Sequence, residues 1–211
     1  MKKGDFVEVE YTGRLKEEGY VFDTTDEKTA KEAGIFQQGM KFGSVIVCLG
    51  EGQLLEGLER KLEGKDVGEF EFELSAEEGF GKKDAKLIKM IPASVFRKQG
   101  INPEQGLQVN VDGLVGVIKT AAGGRCLVDF NHPLSSKELV YKVKVNRIVE
   151  DDKEKLEGYL KLSMGMDAEV ELKDGEAKVK VDKDIPKEAG DVVLNKVKEL
   201  IPSIKGISFT K

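Results

Sequence analysis

The chain has 211 residues, 35% of them charged and 39% apolar, with a formal net charge of −5 spread over both signs. Such a composition fits a folded, water-soluble protein of one to three domains and excludes a disordered chain. No basic stripe is present to neutralise phosphates, and apolar runs such as Val45 to Leu49 fall far short of the roughly 20 residues of a membrane helix, so neither nucleic acid nor membrane is expected as a partner.

Met1-Lys2-Lys3-Gly4-Asp5 passes straight into an alternating pattern without an apolar leader, which predicts a cytoplasmic protein. Val7, Val9 and Tyr11 alternate with Glu8 and Glu10, the period-two signature of a strand with one buried face. A polar stretch over 26–34 and an irregular apolar segment through Phe36, Met40 and Phe42 read as a large loop with room for a short helix. Leu54, Leu55, Leu58 and Leu62 then fall on one face of a short helix, entered from Gly50-Glu51-Gly52, left at Gly64 and laid on a sheet. Phe70, Phe72 and Leu74 mark a second strand, and Tyr141, Val143 and Val145 a third.

Between these last two strands the pattern changes. Ile91-Pro92 opens a short helical stretch, and Leu107, Val109 and Val111 lead into Asp112-Gly113, a dipeptide whose tolerance of positive φ suits a tight hairpin. Residues 83–128 therefore read as a small β-rich guest inside a host domain made of 1–82 and 129–150. Past Glu150, the run Asp151-Asp152-Lys153-Glu154 marks a boundary. A helix carrying Leu156, Tyr159 and Leu160 follows, then a hairpin around Asp174-Gly175, a helix over about 187–201 and a last strand through Ile207 and Phe209. The segment 151–211 is thus predicted as an α-β-β-α-β domain.

Few residues offer bond-making chemistry. Cys48 and Cys126 lie far apart among apolar neighbours and read as buried free thiols. His132 is the only histidine, so no metal site is expected, and it reads as a turn residue beside Pro133. Gly50-x-Gly52 is no dinucleotide loop, because Leu55 stands where the third glycine belongs, and no phosphate-binding lysine follows. Taken singly, Tyr11, Phe22 and Tyr141 read as core aromatics and Asp23-Thr24-Thr25 as a turn.

Their order changes that reading. Tyr11-Thr12-Gly13, Phe22-Asp23-Thr24-Thr25, the stretch from Gly50 to Leu58 and Gly79-Phe80-Gly81 together resemble the FK506-binding-protein (FKBP) peptidyl-prolyl isomerases. Asn131-His132-Pro133-Leu134 after an insert is similar to the SlyD-type subgroup, and the C-terminal extension resembles the long archaeal members. The resemblance implies an α+β fold in which a twisted antiparallel sheet wraps a short helix, with an insert-in-flap domain that binds unfolded chains. It also implies a proline pocket of Tyr11, Phe22, Asp23, Leu54, Leu55, Leu58, Phe80 and Tyr141, with Leu58 where many members carry tryptophan and Phe80 where many carry tyrosine. No cofactor or metal follows from it. The implied partners are unfolded or proline-containing polypeptides.

Within the insert, Leu87, Ile88, Met90, Ile91, Val95 and Phe96 exceed what so small a body readily buries and are expected to hold such chains. Two alternatives keep the same fold: a non-catalytic holdase, and a module in which residues 152–211 dock a partner or a second copy of the chain.

Overall fold

The computed structural model describes residues 1–181 and 185–210. The elements run β1 (Phe6–Leu15), β2 (Val21–Thr24), α1 (Glu27–Glu32), β3 (Val45–Cys48), α2 (Glu56–Leu62), β4 (Gly68–Leu74), β5 (Ile88–Pro92), α3 (Ala93–Lys98), β6 (Gln108–Val111), β7 (Leu114–Ala122), β8 (Arg125–Asp129), β9 (Leu139–Ile148), α4 (Asp152–Met164), β10 (Glu169–Lys173), β11 (Glu176–Lys180), α5 (Lys187–Leu200) and β12 (Gly206–Thr210). The class is mixed α+β. Two compact units emerge, one of residues 1–74 with 138–211 and one of residues 75–137. Among the described residues no helix is long and apolar enough to cross a membrane.

The first unit is organised by β1, which is long enough to serve three partners. Its first half pairs antiparallel with β3, its second half with β2, and its whole length with β9, which in turn pairs with β4. Alternation sorts the two faces: Val7, Val9, Leu139, Tyr141, Val143 and Val145 are buried, while Glu8, Glu71, Lys142 and Arg147 stay on the solvated side. There the register sets opposite charges side by side, as in Glu8–Arg147 (2.6 Å) and Lys142–Glu71 (3.7 Å). α2 packs on β4 and buries Leu58 and Leu62 completely.

The predicted four-leucine helix is shorter than the periodicity suggested. α2 begins at Glu56, so Leu54 and Leu55 belong to the loop before it, with Leu55 at the N-cap position. The cause is Glu59, which is only 4% exposed and turns its carboxylate back onto that loop. It accepts the N–H groups of Gly50 (3.0 Å), Gly52 (3.3 Å) and Leu54 (3.1 Å), donors ahead of the first turn that have no partner within the helix.

The C-terminal segment, expected as a separate domain over 151–211, falls in the first unit. α4 is capped by Asp151, whose side chain accepts the Glu154 N–H (2.9 Å), and it lies against β3. Gly158 makes this approach feasible: a Cβ there would stand 2.7 Å from Cβ of Ile46. The apolar core formed by Leu156, Leu160, Val170, Val179, Val197 and Ile201 also takes in Phe6, Cys48 and Val149 from the host sheet, so the boundary at Glu150 crosses a continuous core. β10 and β11 form an antiparallel hairpin and β12 adds to β11 in parallel, with α5 packed on β12.

The second unit is a four-stranded antiparallel sheet in the order β5-β8-β7-β6. Asp112 and Gly113 both take positive φ (51° and 83°) between β6 and β7, as the dipeptide predicted. The unit is wider than the expected 83–128 because hydrogen bonds tie its two flanks together. Ser136 N–H donates to the Gly81 carbonyl (2.8 Å), Ser135 Oγ to the Phe80 carbonyl (3.2 Å) and Asp84 N–H to Asn131 Oδ1 (2.7 Å). Its core is Ala93, Phe96, Val109, Ile118, Cys126 and Val128, with Ile91 packed against it. Phe96, expected to bind clients, is therefore a core residue: it lies on the inner side of α3 and is fully buried.

Candidate functional site

β1, β2 and β9 bring Tyr11, Phe22, Asp23 and Tyr141 together. In the ladder Asp23 stands opposite Gly13, and Gly13 opposite Tyr141, so the three share one row of the sheet. Tyr141 meets Tyr11 with centroids 6.0 Å apart and rings tilted by 54°, and meets Phe22 edge-on at 5.8 Å and 79°. Both geometries are favourable for aromatic quadrupoles. Gly13 makes the cluster feasible. A Cβ at that position would lie 2.7 Å from Cζ of Tyr141 and 2.9 Å from Cζ of Phe22, so the rings occupy the space of its missing side chain. Nothing in the prediction singled out Gly13, although a glycine inside a strand is itself a sign of close approach.

The polar part of the cluster is self-contained. The Tyr11 hydroxyl donates to the Asp23 carboxylate, which also accepts the Thr24 backbone N–H. Burial raises the Asp23 carboxyl above its ordinary range, and these two hydrogen bonds hold the rise back. Burial, reinforced by the Asp23 charge, pushes both the Tyr11 and Tyr141 phenols upward, so each stays protonated and able to donate. Thr24 and Thr25 anchor this corner. Thr25 Oγ1 accepts the Tyr11 N–H (2.9 Å), the Tyr11 carbonyl accepts the Thr25 N–H (2.9 Å), and the Thr12 and Thr24 hydroxyls share a hydrogen bond of 2.7 Å. The residues taken for a plain turn thus lock β2 onto β1.

Of the remaining predicted pocket residues, Leu58 is buried on α2, while Leu54 and Leu55 are half-buried on the loop that Glu59 holds. Phe80 lies in the second unit, its ring stacked on His132 at 4.3 Å and 10°. His132 Nδ1 accepts the Leu134 N–H (3.2 Å), which makes the histidine a turn organiser. A hollow of about 740 Å³ in the first unit shares only Tyr11 with the predicted set and carries Glu10, Glu69, Glu71, Lys142 and Lys144 in its walls. A smaller one of about 380 Å³ is lined by Phe22 and Asp23 together with Tyr20, Ile35, Met40 and Phe42.

Cys48 and Cys126 are both buried and free, and burial with nearby acidic charge pushes the Cys48 thiol up to about 12, which makes it a poor nucleophile. Among the described residues no group of three or more side chains has the make-up of a metal site.

The arrangement defines a class of protein with an aromatic cluster carried on a sheet around one shielded carboxyl. Comparison with known proteins gives that class a family. Residues 89–134 match the family described as FKBP26, IF domain. The chain is 34% identical over 149 residues to a short-type peptidyl-prolyl cis-trans isomerase of Methanocaldococcus jannaschii, an alignment covering 70% of this chain and 94% of that one. It is 37% identical over 102 residues to the FKBP-type isomerase SlyD of Haemophilus influenzae, covering 46% and 53%. With SlyD of Aeromonas hydrophila it shares 30% over 154 residues, covering 67% and 61%. The chain thus spans a little over half the length of these SlyD relatives. It belongs to the FKBP-type peptidyl-prolyl cis-trans isomerases and is an isomerase.

Proposed function

We propose that Tyr11, Phe22, Asp23 and Tyr141, with Leu54, Leu55 and Leu58, form the pocket in which an X–Pro bond turns, and that the unit of residues 75–137 holds the unfolded or partly folded chain carrying that bond. The observation that carries the first half is the ring cluster over Gly13 with Asp23 fixed by Tyr11. Rotation about an amide breaks no bond. The obstacle is a resonance barrier of ~18–20 kcal/mol, and water solvating the polarised carbonyl strengthens that resonance. An apolar pocket that removes the water and fits the twisted imide better than either planar form lowers the barrier. Asp23 orients Tyr11 and acts as no general base, so turnover needs no proton transfer.

The second half rests on what the insert exposes. Met90 is 61% exposed on β5, an edge strand whose outer backbone groups have no partner strand among the described residues. With Leu127, Thr120, Ala122 and Arg125 it lines a hollow of about 460 Å³. An extended chain can add to such an edge through its own backbone while its apolar side chains meet the adaptable methionine. Leu87 is exposed as well, whereas Ile88 and Val95 are half-buried and support rather than present the surface. Proline-containing polypeptides are thus the substrates proposed, in the cytoplasm.

Two rates test both halves: isomerisation of a short X–Pro peptide, and refolding of a protein limited by proline isomerisation, which takes tens to hundreds of seconds uncatalysed. Tyr141→Ala should lower both. Met90→Asp should lower refolding assistance and spare the peptide. A Met90→Asp variant that still accelerates refolding normally removes the insert from the mechanism, and undiminished peptide turnover in Tyr141→Ala removes the pocket.

A further inference from the structure

The loop that carries Leu54 and Leu55 is gripped from two sides. Glu59 holds it from α2, as described above. From the other side the C-terminal segment reaches it twice. Gln53 donates through Nε2 to Ser163 Oγ on α4 (2.8 Å), while its Oε1 accepts the Cys48 N–H (2.6 Å). Lys196 on α5 pairs with Glu51 at 2.9 Å, and the Glu51 side chain is only 17% exposed. Beneath both contacts lies the continuous core in which Cys48 and Phe6 pack with Leu156, Leu160 and Val197.

We propose that Ser163 and Lys196 are positioning residues for the proline pocket, so that the segment 151–211 braces the pocket loop rather than serving only to dock a partner. The proposal rests on the reading of Leu54 and Leu55 as pocket wall. A loop entered through two glycines, Gly50 and Gly52, has many conformations to choose from, and each fixed contact from α4 or α5 removes some of them. The benefit to catalysis is geometric, since a wall displaced by about 1 Å no longer fits the twisted imide. The ion pair is partly shielded from water and shares its loop with the Gln53 contact. The two links are therefore expected to act together, more strongly than an isolated surface pair.

The test uses the full chain carrying Ser163→Ala with Lys196→Met, compared with Lys196→Arg and with the exchanged pair Glu51→Lys/Lys196→Glu. Peptide isomerisation, thermal unfolding and amide hydrogen exchange at Gly50, Gly52 and Leu54 are measured for each. The double variant should lose about three- to tenfold in kcat/KM, the scale of one or two modest polar contacts, with faster exchange at those three amides. Lys196→Arg should keep the activity, and the exchanged pair, whose new carboxylate stands beside Glu199 where Lys196 was paired (3.2 Å), should regain only part of it. Leu55→Ala run in parallel separates the two levels of argument. If Leu55→Ala turns over normally, the pocket assignment fails and the brace with it. If Leu55→Ala is impaired while the double variant keeps full activity, or loses activity without any change in exchange at the loop, the brace is refuted and the pocket stands.

Discussion

Gly13→Ala is the smallest change that reaches the ring cluster. Its new methyl would stand 2.7 Å from Cζ and 2.8 Å from Cε1 of Tyr141, and 2.9 Å from Cζ of Phe22. Carbon atoms in contact settle at about 3.5–4.0 Å, so one or both rings must retreat by at least ~0.6–0.8 Å. Tyr141 is only 3% exposed and pinned between strands, which leaves it little room to yield. Overpacking of this kind costs about 1–3 kcal/mol. For a chain of this size that is roughly 2–4 °C in Tm per kcal/mol. The catalytic loss should be larger in relative terms, because misplacement of a site by about 1 Å can cost on the order of a hundredfold in rate. The assay pairs Tm by calorimetry with kcat/KM on a short X–Pro peptide. A Gly13→Ala protein with native Tm and native turnover would falsify the view that the missing side chain makes room for the rings.

Three further outcomes follow from the same contacts. The raised Asp23 carboxyl makes ionisation costly in the folded state: the cost is absent below its ordinary value of 3.8, where the group is protonated folded and unfolded, and appears as pH rises through the shifted value. Tyr11→Phe removes a bond that opposes this shift, so its deficit in unfolding free energy should open with rising pH to about 1–3 kcal/mol and close again in acid; a deficit independent of pH would contradict the assignment. Asp129 behaves oppositely: burial opposes its ionisation, but Asn131 and Lys83 hold it down at about 2, so its contribution is present above 3.8 and is lost as pH falls through about 2. Asp129→Asn should accordingly be less stable than the parent at neutral pH, with the gap closing in acid thermal melts. Finally, a chain ended at Glu150 would uncover Phe6, Cys48 and Val149, all nearly fully buried now, and should lose roughly 1.5–3 kcal/mol for a large side chain such as Phe6 in urea unfolding; an unchanged midpoint would mean the core does not cross that boundary.

Much of this was legible in the residues. The strands of the host sheet follow from alternation at Val7–Tyr11, Phe70–Leu74 and Tyr141–Val145, because one face of each is buried and the other meets water. The hairpin at Asp112-Gly113 follows from the φ values those residues tolerate. What periodicity misjudged was Leu54 and Leu55: the buried Glu59 carboxylate holds the N–H groups of Gly50, Gly52 and Leu54 in a loop, and a pattern of apolar spacing contains no trace of that hold. Phe96 failed for a different reason. Apolar character shows that a side chain leaves water, but not whether its own domain or a client covers it. The merging of residues 151–211 with the host depends on Phe6, Cys48 and Val149, which are too scattered along the chain to announce a shared core. Gly13 stood within Tyr11-Thr12-Gly13, but only its place inside a strand hinted at the close approach of the two rings.

The pairing of β1 with β9 also governs how this chain comes into existence. Leu15 faces Leu139 and Val7 faces Ile148, so the central ladder joins residues that lie far apart in the order of synthesis. During synthesis β1 emerges with only β2 and β3 to pair with, and its longest edge waits until the insert has been completed. Leu74 and Leu139 end up opposite each other, which means an insert that has already folded presents the two strand ends as a short clamp instead of a long slack loop. Closure entropy grows with loop length by about 0.6 kcal/mol per doubling, so early folding of residues 75–137 should hasten the host. The guest unit would then act first as a folding aid to its own chain.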